Sequence, residues 1–205
     1  YHLWPGDLAL MSDLGLDAYR FSIAWPRIQA DGSGPANAKG LDFYRRLVDG
    51  LLERGITPLA TLYHWDLPQP LQDRGGWASR EVVERFEEYA RIVFDALDDV
   101  VDSWITHNEP WVTSFLGYGY GVKAPGVTDW HAALAAAHHV LLSHGRATRA
   151  FRDGRPSGEI GITLDLTHVS GEPGAARRLD GHRNRWFLDA VLRGSYPVDM
   201  CELYE

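Results

Sequence analysis

Leu41-Asp-Phe-Tyr-Arg-Arg-Leu-Val-Asp-Gly-Leu-Leu-Glu-Arg-Gly-Ile-Thr-Pro-Leu-Ala-Thr-Leu-Tyr63 changes its hydrophobic rhythm once, at Gly55. Before that glycine, Leu41, Tyr44, Leu47, Val48, Leu51 and Leu52 recur at helical spacing, with Arg45, Arg46 and Glu53 on the other face. Such a stripe marks a helix packed by one side against a core, and glycine commonly follows a helix end. Beyond it, Thr57 to Tyr63 is mostly apolar and does not alternate, which suits a strand covered on both faces. An amphipathic helix leading into a doubly covered strand is the repeating unit of a parallel sheet.

The same cycle extends in both directions. Upstream, Leu8, Met11 and Leu14 predict a helix over Gly6 to Leu14, and Ala18 to Ile23 reads as a strand ended by Pro26. Downstream, Ser79 opens a helix striped by Val83, Phe86, Ala90, Val93 and Leu97, followed by a strand from Val101 to Thr106. A long helix from about Trp130 to Phe151, a strand from Glu159 to Leu164 and a helix around Asn184 to Leu192 complete the series. Both a doubly wound sheet and a (β/α)8 barrel fit this alternation. No Gly-x-Gly-x-x-Gly follows any of the strands, which removes the main support for a dinucleotide-binding sheet. Chemistry-bearing residues gather directly after the strands, where a barrel places its sites. The fold class expected is therefore α/β, a partial (β/α)8 TIM barrel. About four of the eight βα units are present, and residues 1–205 form part of one catalytic barrel.

Composition narrows the function. At 205 residues with 45% hydrophobic and 23% charged residues, the chain can bury a real core. Its formal charge of −8 and the lack of any Lys/Arg block exclude a nucleic-acid partner. No run of about 18 apolar residues predicts a membrane span. Cys201 is the single cysteine and makes no internal disulfide. The chain opens Tyr1-His2-Leu3-Trp4-Pro5, with neither an initiator Met nor a signal peptide in view. We expect a piece of a longer, cytoplasmic protein, and composition does not set its oligomeric state. His138, His139 and His144 fall on different helical faces and lack a carboxylate partner at ligand spacing, so no metal and no other cofactor is expected.

Two strand ends carry the chemistry. His64-Trp65-Asp66-Leu67-Pro68 follows the second strand, and His107-Asn108-Glu109-Pro110-Trp111 follows the third. Hydroxyl-bonding groups, a carboxyl and flat aromatic rings together suit a sugar, whose hydroxyls need partners and whose faces are apolar. Each residue also has a plainer reading. Glu109 could cap a helix or pair with an arginine, His64 could be a structural histidine, and Arg20 could form an internal ion pair. Trp25, Trp77 and Trp104 read as packing.

Six segments follow one another in order: Asp17-Ala-Tyr-Arg-Phe-Ser-Ile-Ala-Trp-Pro-Arg-Ile28, Thr61-Leu-Tyr-His-Trp-Asp-Leu-Pro-Gln69, Trp104-Ile-Thr-His-Asn-Glu-Pro110, Gly119-Tyr-Gly-Val-Lys-Ala-Pro-Gly126, Gly161-Ile-Thr-Leu164 and Asn184-Arg-Trp-Phe-Leu-Asp189. Together they resemble glycoside hydrolase family 1, the β-glucosidases and their relatives. The resemblance implies a retaining β-glycosidase acting on a β-glycoside or oligosaccharide. Glu109 would be the acid/base; His64, Trp65 and Asn108 would bind the sugar, and Arg20 would orient the nucleophile. The family's nucleophilic glutamate, in Thr-Glu-Asn-Gly, is absent from these 205 residues and would lie outside them. His107 stands where the family usually has an apolar residue. The alternatives are a non-catalytic sugar-binding or structural barrel fragment and, among enzymes, a 6-phospho-β-glycosidase.

Overall fold

The computed structural model describes residues 1–154 and 158–205. In chain order the elements are α1 (Trp4–Asp13), β1 (Ala18–Ser22), α2 (Trp25–Ile28), α3 (Ala38–Leu52), β2 (Thr57–Tyr63), α4 (Gln69–Gln72), α5 (Glu81–Leu97), β3 (Ser103–Asn108), α6 (Trp130–Gly154), β4 (Glu159–Thr163), α7 (Pro173–Asp180), α8 (Trp186–Arg193) and α9 (Val198–Tyr204). Two π-helical stretches, Val112–Gly119 and Gly181–Arg185, interrupt the series.

The four strands pair in the order β1-β2-β3-β4, every pair parallel. A doubly wound sheet must reverse its order at a switch point, whereas a barrel advances strand by strand. The helices cover one face of the sheet. Phe21 of β1 stacks on Tyr44 of α3, while Ala18, Arg20 and Ser22 on the other face are exposed. One-sided helices on a sheet that advances without reversal make this α/β chain a part of a TIM barrel.

The core lies between sheet and helices. Trp25, Tyr63, Trp77, Phe86 and Tyr89 form a continuous aromatic block, with Trp25 stacked on Tyr89 at 5.0 Å. The Tyr89 hydroxyl donates to the carbonyls of Ile23 and Leu62, so one buried phenol ties the ends of β1 and β2 together. Trp104 packs on Phe94 and donates its indole N–H to Val101. The three tryptophans read as packing are buried accordingly.

Several expected boundaries move. α1 begins at Trp4, because Pro5 is tolerated in a first turn where its missing N–H costs nothing. Leu52 ends α3 exposed, and Phe43, unmarked by the stripe, is buried instead. Ser79 does not cap α5 with its hydroxyl; its carbonyl accepts the Val82 N–H. Val101 still bonds back to Leu97, which delays β3 to Ser103. Among the described residues no helix is long and apolar enough to cross a membrane.

Candidate active site

Parallel strands in chain order deliver their following residues to one rim. His64 leaves β2 and Glu109 leaves β3, and Tyr63 pairs with His107 across the ladder, so both loops start side by side. Asn108 Nδ2 lies 3.3 Å from His64 Nε2, and the Trp65 indole N–H donates to the Asn108 carbonyl at 2.9 Å. The His64 and Trp65 rings meet edge to face at 4.8 Å. Asn108 is 1% exposed, and its Oδ1 finds no donor among the described residues.

The backbone turns sharply at both loops. Trp65 has φ 84° and Glu109 φ 52°, the two non-glycine residues with positive φ among those described. A side chain in this region costs about 1–3 kcal/mol and persists only where the surroundings enforce it. At Glu109 the enforcement is visible. Its N–H donates to Thr163 of β4 at 2.8 Å, and its carbonyl accepts from Val112 and Thr113. The half-buried Glu109 carboxyl has no hydrogen-bond or ion-pair partner among the described residues.

Arg20 crosses the open face of the sheet and donates to the Thr163 hydroxyl at 3.2 Å, with no carboxylate paired to it among the described residues. Burial lowers the His64 pKa, the Arg20 charge lowers it further, and the Glu109 charge opposes both. Arg20, His64 and Glu109 therefore share one electrostatic neighbourhood. Burial pushes the Asp66 carboxyl up to about 6, opposed by its own backbone amide, the Arg27 charge and the His64 amide. A cleft of about 320 Å³ opens beside Trp65, between the loops after β2 and β3, with Leu67, Val112, Thr113 and Lys123 in its walls. Lys123 Nζ stands 5.8 Å from the centre of the Trp65 ring.

The sequence alone does not single out Thr163 or Lys123. Thr163 sits at a strand end and is reachable by the rule that locates His64, whereas Lys123 is brought in by tertiary folding alone. The helical histidines point to separate partners. His138 meets the Tyr196 hydroxyl, His139 the Trp77 carbonyl and His144 the Thr106 hydroxyl. Among the described residues no three His, Cys, Asp or Glu side chains are grouped to hold a metal ion.

The family model described as Glycosyl hydrolase family 1 matches residues 1–205. The chain is 46% identical to β-glucosidase A of Acetivibrio thermocellus, over 100% of this chain and 47% of that protein. It is 52% identical to thermostable β-glucosidase B of Thermobispora bispora, over 99% of this chain and 43% of that protein. Among solved structures, the β-glucosidase from Thermotoga maritima in complex with deoxynojirimycin superposes with a TM-score of 0.96 at 45% identity, over 100% of this chain and 48% of that one. The chain thus spans slightly less than half the length of these relatives.

Proposed function

The chain belongs to glycosyl hydrolase family 1, and from that premise we propose that residues 1–205 form the acid side of a retaining β-glycosidase active site within a single barrel. The observation that carries this reading is the grouping of His64, Trp65, Asn108 and Glu109 on one rim, with the Glu109 carboxyl unpaired and the Asn108 Oδ1 without a donor among the described residues.

A retaining glycosidase holds two carboxyl groups roughly 5–5.5 Å apart across the scissile bond. Glu109 protonates the departing oxygen and then takes the proton of the water that attacks the sugar–enzyme intermediate. Asn108 offers its amide to the sugar 2-hydroxyl, His64 and Trp65 bound the sugar pocket, and Arg20 orients the attacking carboxylate. That second carboxylate comes from outside these residues. The rim motifs alone would also serve a sugar-binding fragment, and turnover distinguishes the two readings. The β-glucosidase names of the relatives favour an unphosphorylated β-glycoside over a 6-phospho-β-glycoside.

The test joins this chain to the complementary half of the Thermotoga maritima relative, with folding checked by a cooperative unfolding transition. Hydrolysis of β-glucosides is expected, with 6-phospho-β-glucosides turned over more slowly. Glu109→Gln should lower the rate about 10²–10⁴-fold for poor leaving groups and far less for activated ones in the first step. A folded chimera without turnover, or equal losses for both leaving groups, refutes the assignment.

A further inference from the structure

Side chains alternate along a strand, so Trp104, Thr106 and Asn108 of β3 should share one face. They do not. Trp104 and Thr106 face the helices, against Phe94 and His144, whereas Asn108 meets His64 at the rim. The reversal occurs within one step of the ladder. Ile105 pairs with Gly161 and Asn108 with Thr163, so β3 advances three residues while β4 advances two. An inserted residue of this kind is a β-bulge, which bends a strand and re-aims the side chains beyond it.

Both residues inside the bulge are fastened to α6. Thr106 Oγ1 lies 2.8 Å from His144 Nδ1, and His107 Nε2 lies 2.8 Å from Ser143 Oγ. The Ser143 hydroxyl already donates to Val140 within its helix, so it accepts from His107, which fixes the imidazole as the Nε2–H tautomer. The His107 ring is fully buried and stacks on Phe86 at 4.5 Å, with the edges of Tyr63 and Trp77 against it. Its Nδ1 has no partner among the described residues, a cost that an apolar side chain would not carry. A buried imidazole with one unmet nitrogen is explained by what its other nitrogen holds.

We propose that the paired contacts Thr106–His144 and His107–Ser143 keep β3 bulged and thereby set the position of Asn108 and Glu109. Thr106 and His107 are then positioning residues for the chemistry proposed above, a role that rests on that reading. Release of the pin lets the strand return to plain alternation, which turns Asn108 toward α6 and withdraws the hydrogen bond from Glu109 N–H to Thr163 that holds the acid in its left-handed turn.

The experiment is amide hydrogen exchange by NMR on the 205-residue chain, which needs no substrate. Ser143→Ala removes the acceptor with little loss of volume. It should speed exchange of the Glu109 amide roughly tenfold or more, the effect of losing one buried hydrogen bond, and shift the Asn108 side-chain NH2 signals. The Arg20 and Thr61 amides should exchange as before. His107→Gln, which retains a donor, should keep the Glu109 amide slow, whereas His107→Leu should not. Should His107→Leu fail to fold, Ser143→Ala decides. An unchanged Glu109 amide in Ser143→Ala, or acceleration shared equally by Thr61, overturns the proposal. Failure of the glycosidase reading would leave these exchange rates as they are, so the two can fail separately.

Discussion

Replacing Glu109 with Gly should stabilise the chain relative to Glu109→Ala, although both variants remove the same carboxyl. Glu109 sits at φ 52°, where a Cβ crowds the backbone at a cost of about 1–2 kcal/mol that glycine avoids. Glycine in turn loses more freedom on folding, about 0.5–1 kcal/mol. Taken at the same end of both ranges, the surviving difference is about 0.5–1 kcal/mol in favour of Gly. The rest of the site is neutral in the comparison. The carboxyl has no partner among the described residues, and the backbone bonds to Thr163, Val112 and Thr113 persist in both variants. Urea unfolding followed by tryptophan fluorescence reads the difference as a midpoint shift of about 0.2–1 M, given slopes of about 1–3 kcal/mol per M. A Gly variant no more stable than the Ala variant would show that this turn is not strained, and the enforced turn at Glu109 would lose its physical basis.

Three further outcomes are expected. Burial holds His144 and His182 down at about 4 against an ordinary 6.5, so unfolded chains bind more protons in that interval and stability should fall as pH drops from about 6.5 toward 4; a flat urea midpoint between those limits refutes it. Asp66 has the opposite sign, because its folded carboxyl titrates near 6 and its charge opposes folding above that pH, so Asp66→Asn should raise the midpoint at pH 7 and leave it nearly unchanged at pH 4. Gly117→Ala would place a Cβ 2.8 Å from the Ala124 carbonyl and should cost about 1–3 kcal/mol, whereas Gly145→Ala on α6, with open space around it, should stabilise by about 0.5–1 kcal/mol; equal unfolding midpoints for the pair would contradict the packing described.

Legibility in the sequence followed how local the cause was. β2 could be read to the residue, because Thr57 to Tyr63 is apolar on both faces and Gly55 ends the preceding helix. The α5 stripe of Val83, Phe86, Ala90, Val93 and Leu97 is buried throughout. The stretch Val112–Gly119 could not be read as helical. It contains β-branched residues and two glycines, and its π turns are held from outside by Tyr118 on Gln72 and by the close approach of Gly117 to Ala124. α7 and α9 escape a sequence reading because neither builds an apolar stripe of useful length; they are tied by Arg177 and Arg185 to Asp199, contacts that exist only after folding. At the rim, residue types and strand ends pointed to His64, Trp65, Asn108 and Glu109. The bulge that turns Asn108 inward left no local trace, because His107 is one more polar residue in a strand that also carries Ser103, Thr106 and Asn108.

The uninterrupted strand order also has a bearing on synthesis. Ala18 meets Thr57, Leu59 meets Ser103 and Ser103 meets Glu159, so each strand waits for a partner only roughly 40 to 60 residues further on. A ribosome adding about 5–20 residues per second delivers that partner within seconds. Each new helix arrives in time to cover the strand before it, and the growing edge at any moment belongs to the newest strand, while the outer edge of β1 stays unpaired among the described residues. Nascent chains of this design can therefore fold in the order they emerge, with one aggregation-prone edge continually replaced and the other fixed at β1.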